Sequence, residues 1–457
     1  MSSSIQATTG VVARIATNKA ALLVVFLSWL MVVFDGYDLT VFGAVVPSLL
    51  AESSWGLTPV TAGTVGSMAL LGMLIGSVLA GTLADHLGRR TTVLACVAWF
   101  SVFTLLCAIA PNPAMFATFR FLVGLGLGGL IPTASTLTNE YTEPSRRPLI
   151  SVIMLSGVPI GGIIAASLGI GVLPAYGWRP MFFIGATGLV LILPLCMALL
   201  PESALWLRAG GKIERAEKLE ARFGITPDMN DAPEASPSHS ASSFFGRIGR
   251  LLSTPFTMVT VLFAVATVGT LFAWFGLGTW LPSLMRAAGF ELGSSLFFTV
   301  VLYAGAVTGS LIMGYLGTKI GSLWTGAASS LMGVIGLAIL LTQTGQPSPN
   351  TGMTYVALVL AGIGTHGTQC LIIAAVSNHY PHLLRGSALG FMQGFGRIGA
   401  VMAPQIGGWL QTGTSGIGSN FIAFGLGALI ACVLLLSLVR VTEKGRAADR
   451  LVAQPSN

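Results

Sequence analysis

Long apolar runs broken by short polar stretches set the rhythm of this chain. They cover 20–50, 60–84, 91–111, 114–139, 150–173 and 179–200, then resume at 254–281, 294–317, 323–343, 352–377, 387–411 and 419–440. As a helix rising about 1.5 Å per residue, such a run crosses a hydrocarbon core of about 30 Å. The pattern predicts an all-α membrane protein with twelve transmembrane helices, spans 1 to 12, in two pseudo-symmetric six-helix bundles (20–200 and 254–440). A cytoplasmic central loop, 201–253, is expected between them, flanked by cytoplasmic ends at 1–19 and 441–457. Within that loop, Ile213 to Arg222 has the i,i+4 charge spacing of a short amphipathic helix, and 231–243 has linker composition.

Two echoes relate the halves. Val158-Pro159-Ile160-Gly161-Gly162 in span 5 recurs as Ala403-Pro404-Gln405-Ile406-Gly407-Gly408 in span 11, and the stretch Gly81 to Arg89 after span 2 recurs as Gly314 to Gly321 after span 8. Duplicated halves of this kind place a substrate site near the midplane between them.

Against this apolar background the few charges inside the spans stand out: Asp35, Asp38, Arg120 and Arg397. A carboxylate in mid-membrane costs roughly 2.5–3.5 kcal/mol on insertion scales, and such residues mark ion and substrate pathways. Asp35 and Asp38 are three apart and share a helix face. Two carboxylates that close in low dielectric do not both carry charge cheaply, so the pair takes up protons as a unit. Arg120 opens a small-residue stripe, Gly124-Leu-Gly126-Leu-Gly128-Gly129, along which another helix can approach, and its guanidinium can hold the span 1 aspartates ionised. Arg397 presents a planar fork suited to a carboxylate ligand, with Phe391 and Phe395 nearby to stack on an aromatic ring. In span 10, Gly364-Thr-His366-Gly-Thr-Gln369 is a polar turn whose His366 can join a proton relay or a substrate contact. Tyr37, Phe42, Trp274, Phe275, Trp280 and Tyr303 are candidate cavity aromatics. A static salt bridge, a snorkelling arginine, a hydrogen-bonded helix-packing histidine and lipid-facing rings are the purely structural alternatives.

Composition narrows the class. The chain is 53% hydrophobic and 9% charged, against about 25% charged in soluble domains. All but four of its 23 Lys and Arg residues (Arg120, Arg179, Arg286 and Arg397 excepted) fall in segments that are cytoplasmic if both termini are cytoplasmic. That asymmetry predicts the N-in, C-in orientation, and it makes the net charge of +7 topological rather than a nucleic-acid footprint. The polar N-terminus lacks a short apolar region with a cleavage site, so no removed signal peptide is expected. The five cysteines lie in apolar runs without paired or metal-like spacing and read as packing residues. No P-loop, zinc spacing or nucleophile elbow occurs, so neither ATP-driven pumping nor an enzyme is expected, and no cofactor or metal is called for.

Gly81-Thr-Leu-Ala-Asp85-His-Leu-Gly88-Arg89-Arg90 resembles the loop 2–3 signature of the major facilitator superfamily, with His86 in place of the usual basic residue. Arg120 to Gly129 is similar to its span 4 motif, and Pro201-Glu202-Ser-Ala-Leu-Trp206-Leu207 to the motif ending span 6. Within that superfamily, Asp35-Gly36-Tyr37-Asp38 resembles the signature of the aromatic acid:proton symporters, as do Glu140-Tyr141 before Arg146-Arg147, and Tyr380-Pro381 before Arg385 with Gly394-Phe-Gly-Arg397 beyond. The resemblance implies the major facilitator fold and uptake of hydroxybenzoate-type aromatic carboxylates with protons, through the inner membrane of a bacterium, by a chain able to act as a monomer. The proton is then the coupling ion. Asp35, Asp38 and Arg120 would carry proton coupling. Asp38, Tyr37, Arg397, Phe391, Phe395, His366 and Gln369 would contact substrate, and Asp85, Gly88, Arg89, Arg90, Glu140 and Arg385 would gate the cytoplasmic end. Thr318 replaces Asp85 in the second-half loop, which implies asymmetric gating. The Pro-Gly-Gly run at 159–162 partly resembles an antiporter motif, one residue short. Anion exchange, export of organic compounds, and a sensor that binds without transporting therefore stand as alternatives.

Overall fold

The computed structural model describes residues 19–143, 146–223, 246, 248–254, 256–343, 346, 350–412 and 416–452. The expected linker at 231–243, the 1–18 terminus with Arg14, and Arg247 lie outside the described residues. Eleven helices among these residues are long and apolar enough to cross a membrane. In chain order, spans 1 to 6 are Ala21–Ala51, Pro59–Leu87, Arg89–Ala108, Pro113–Glu140, Leu149–Tyr176 and Arg179–Leu199. Spans 7 to 10 are Thr257–Ala287, Leu292–Ile320, Ser322–Gln343 and Thr351–His379, and span 12 is Gly418–Thr442. Span 11 is the helix His382–Thr412: Arg385, Gln393, Arg397, Gln405 and Gln411 lower its hydropathy, but its 31 residues keep the length of a span. It is packed between spans 2 and 7, completing twelve. In the central segment, Ala204–Ala209 and Ile213–Phe223 are short helices, the second on the stretch expected to be amphipathic.

Local chemistry explains the boundaries. Thr58 forms a capping box with Thr61, and Pro59 starts span 2 where its missing N–H costs nothing. Asn112 and Asn350 cap spans 4 and 10 through their side-chain oxygens. Spans 2 and 8 both stop at a glycine of positive φ, Gly88 at 91° and Gly321 at 100°, a conformation L side chains rarely adopt. The echo between those two loops is thus a repeated helix stop.

The Pro-Gly-Gly echo is structural as well. Gly161 lets span 5 close on the backbone of span 1 at Val33, and Gly407 lets span 11 close on Trp280 of span 7. The next glycine of each pair faces the opposite half, Gly162 against Tyr303 of span 8 and Gly408 against Pro59 of span 2. Small residues are what allow such approach when lipid supplies no hydrophobic drive between helices. Span 4 uses the same device: Gly124 and Gly128 lie against span 2 at Ala69 and Met73, and Gly126 lies against Phe100 of span 3.

Contacts between the halves gather at one end. Three side-chain hydrogen bonds join them among the described residues: Thr40 to the Tyr303 hydroxyl at 3.0 Å, Thr64 to Gln405 at 2.8 Å and Ser67 to the Val401 carbonyl at 2.7 Å. All three lie toward the loops between spans 1 and 2 and between spans 11 and 12. At the other end of span 11, a side chain added at Gly386, Gly390 or Gly394 would meet nothing within 4 Å, and Val78, Leu79 and Leu83 of span 2 are exposed. The halves are closed at one membrane face and parted at the other.

Candidate functional site

Midway along span 1 the sequence carries its two acids one helical turn apart, and tertiary packing gives them different surroundings. Asp38 is held in an ion pair. Its Oδ2 lies 2.6 Å from Nη1 of Arg120, and its Oδ1 accepts a hydrogen bond from Thr104 of span 3 at 3.0 Å. Arg120 is also within 5.5 Å of the Phe42 ring face, and both charged residues are at most 2% exposed. Asp35 is fully buried, and neither of its carboxylate oxygens has a hydrogen-bond partner among the described residues. Arg397 lies within electrostatic reach of Asp35 without contacting it. No hydrogen bond or ion pair reaches the Arg397 guanidinium among the described residues, and the residue is only half-buried. The centre therefore holds one bonded pair, Asp38 with Arg120, in which Arg120 Nε stays without a partner among the described residues, and two further ionisable groups of opposite kind, Asp35 and Arg397, that do not touch.

Around this centre runs a wall of polar and aromatic groups. Four residues before Arg397, Gln393 accepts from Gln369 Nε2 at 2.6 Å, leaving Gln369 Oε1 buried without a partner among the described residues. His366 lies one turn earlier on span 10, its Nε2 likewise buried and without a partner. Its ring is 4.8 Å from that of Trp274, which meets Tyr303 edge-on at 5.1 Å. Trp274, Phe275 and Tyr303 line a recess with Leu39, Thr40 and Val158, the lining expected for three of the six aromatic candidates. The other three sit in helix interfaces. Tyr37 donates to the Met181 carbonyl at 2.8 Å, Phe42 stacks on Phe116, and the fully buried Trp280 donates to the Pro404 carbonyl at 2.9 Å.

Phe391 and Phe395 stack on one another at 5.9 Å, but on a different side of span 11 from Arg397. At 100° per residue they share a stripe with Ile398, Met402 and Trp409, and of these Phe395, Ile398, Met402 and Trp409 are all exposed. Gln393 shares the face of Arg397, so the structure brings Gln393 and Gln369, rather than the two rings, toward the guanidinium.

The six residues expected to gate lie at the parted end, and four of them join one cluster. Arg89 pairs with Glu140, Ser203 donates to the same carboxylate, and the backbone N–H of Arg90 donates to Glu202 at 2.9 Å. Gly88 packs against the Glu202 carboxylate, where a Cβ would crowd it. The Tyr141 hydroxyl donates to the Glu202 carbonyl; burial and the nearby Glu202 and Glu220 push that phenol up from its ordinary range. Asp85 is exposed, its carbonyl accepting from the Trp206 indole at 2.9 Å. No ion pair joins Asp85 to Arg385 among the described residues, and Arg385 Nε is buried without a partner. At the closed end, Trp178 donates to Glu52 at 2.9 Å and holds that carboxyl below the usual carboxylate range, burial opposing and Ser54 and Arg179 assisting.

Sequence reading missed Thr104, Thr40 and Gln393. Each is a polar residue in an apolar run, and Gln393 also stands one helical turn before Arg397. That weak signal alone could have marked them.

Twelve helices in two related halves, closed at one face over a buried charged centre, define a polytopic membrane carrier. The chain belongs to the Major Facilitator Superfamily, whose model matches residues 28–307 and 292–455. It is 43% identical over 422 residues to a gentisate transporter of Corynebacterium glutamicum, covering 92% of this chain and 88% of that protein. It is 34% identical over 419 residues to a benzoate transport protein of Acinetobacter baylyi, covering 90% and 88%. Among solved structures it superposes on the xylose transporter XylE from E. coli in a partially occluded inward-open conformation, with TM-score 0.72 and 17% identity, over 92% of this chain and all of that one. That last likeness supports the fold alone.

Proposed function

We propose that this chain imports hydroxybenzoate-type aromatic carboxylates by proton symport, through alternating access between its halves. The observation that carries the reading is Asp35, a fully buried carboxylate without a partner among the described residues, within electrostatic reach of the Arg397 guanidinium. An aromatic carboxylate binding Arg397 neutralises the positive charge that acts on Asp35. Anion and proton then load together, because either one alone leaves a buried charge uncompensated. Asp38, already paired with Arg120, holds the turn of span 1 on which Asp35 sits. Moving one anion inward against a negative-inside potential costs about 2.3 kcal/mol per 100 mV, and one accompanying proton cancels that charge. The transporters of gentisate and benzoate among the relatives support the substrate class.

The distribution of Lys and Arg supports placing both termini on the cytoplasmic side of a bacterial inner membrane. The closed end then faces outward and the parted end, with its Arg89–Glu140 cluster, faces the cytoplasm. The test is uptake of radiolabelled gentisate, 4-hydroxybenzoate, protocatechuate and benzoate into proteoliposomes, with and without an inward proton gradient. Gradient-dependent accumulation of at least one is expected. Counterflow without any gradient-driven accumulation would make the chain an exchanger instead.

A further inference from the structure

Span 10 is α-helical from Thr351 and again from Thr368, but Ile363–Gly367 is wound as a π-turn. Such turns insert an extra residue and recur at functional sites because they re-aim the side chains around them. Here the turn carries His366, and Gln369 lies two residues beyond its end at Gly367. Each presents a buried polar atom without a partner among the described residues, Nε2 of His366 and Oε1 of Gln369, and Gln369 is only 7% exposed. Buried polar atoms are nearly always satisfied, so two exceptions three residues apart, one of them on a side chain bonded to the helix that carries Arg397, point to a ligand.

The chemistry of that ligand follows from the amide. Gln369 Nε2 donates one of its two amide hydrogens to Gln393 at 2.6 Å, and the amide oxygen is the buried atom left without a partner among the described residues. An amide oxygen accepts only, so the group that meets it must donate. Gln393 is also one turn from Arg397 on the same helix face, with about 5–6 Å between Cβ atoms at that spacing. An acceptor and a carboxylate-binding fork thus stand on one wall, and the His366 ring lies against Trp274 beside them.

We propose that His366 and Gln369 read a ring hydroxyl of the substrate, while Arg397 holds its carboxylate. The proposal rests on the aromatic-acid reading above and adds the basis of its selectivity. A phenolic hydroxyl donates a hydrogen bond; the bare ring of benzoate has no such donor, and a methoxy oxygen only accepts. A site built to bond a hydroxyl discriminates against an analogue lacking it, because its own polar groups are then left unpaired.

The test measures binding separately from transport. Purified full-length protein in detergent is titrated calorimetrically with benzoate, para-methoxybenzoate, meta- and para-hydroxybenzoate, and gentisate. At least one hydroxylated acid should bind roughly tenfold tighter than both benzoate and the methoxy analogue, one net hydrogen bond corresponding to about that factor. Gln369→Leu and His366→Phe should each shrink that ratio by roughly tenfold, and His366→Gln should restore part of it. The ratio is taken within one variant, so a loss of folded protein cancels. Equal binding of hydroxylated and unhydroxylated acids, or an unchanged ratio in both variants, would overturn the proposal. Failure to bind any of these acids would sink both readings. The expected ratios without proton-driven uptake would remove symport alone and leave the hydroxyl reading standing.

Discussion

Cutting the buried ion pair of the first half separates a structural role from a transport role. Asp38 and Arg120 are 1% and 2% exposed and share a 2.6 Å contact, with Thr104 the other side chain bonded to the Asp38 carboxylate. Replacing Arg120 with Met leaves that carboxylate buried with one hydroxyl donor, and Asp38→Asn leaves a buried guanidinium facing a neutral amide. Removing one partner of a buried pair costs about 3–5 kcal/mol, whereas replacing the whole pair with neutral groups of similar volume is often close to neutral. Each single variant should therefore unfold several kcal/mol more easily in detergent. The double variant Asp38→Asn, Arg120→Met should recover most of that loss, a coupling of at least about 2 kcal/mol in a double-mutant cycle. The assay is unfolding of purified protein followed by tryptophan fluorescence, with uptake measured in parallel. Additive effects in the cycle would refute the reasoning, since they would mean the two charges do not stabilise one another. Recovered stability with uptake still absent would place the pair in the transport cycle as well as in the fold.

Three further outcomes are expected. Asp35→Asn should abolish proton-driven accumulation while counterflow of labelled substrate persists; normal accumulation by that variant would remove Asp35 from coupling. Arg397→Lys should raise the apparent KM roughly tenfold because the bidentate fork is lost, and an unchanged KM would mean the carboxylate binds elsewhere. Glu52, whose carboxyl is held below its ordinary value of 4.5 by the Trp178 indole, contributes stability that is present above that value and lost as pH falls through its lower folded value. Wild type should therefore melt higher than Glu52→Gln at pH 7, and the two should converge below pH 4.5; a constant difference across that range would exclude the carboxylate as the source.

Much of the architecture was legible because its signals are local. A run of apolar residues long enough to cross a bilayer needs no partner to be read, and all twelve expected spans correspond to helices in the structure. The short echoes at Gly88 and Gly321, and at Gly161 and Gly407, were legible for a related reason. A helix stop of positive φ and a close backbone approach both demand glycine, so the residue type records the geometry. The candidate site was legible in its charges, since an ionisable residue in mid-membrane is costly enough to mark itself.

Which charge meets which was decided by packing alone. Asp35 and Asp38 are identical in type and one turn apart, yet only Asp38 meets Arg120 and Thr104, because spans 3 and 4 approach its side of the helix. Phe391 and Phe395 precede Arg397 closely in sequence but lie on an exposed stripe away from it, while Gln393 reaches Gln369 of a neighbouring span. Tyr37 belongs to the acidic motif, yet its hydroxyl is spent on the Met181 carbonyl. By itself the sequence determined the number of spans, their approximate places and the presence of charge at the midplane, all consequences of hydrophobicity and backbone conformation along the chain. Only the tertiary structure decided which acid is paired, which guanidinium is free and which end is closed, because those depend on the rotation of each helix against neighbours remote in sequence.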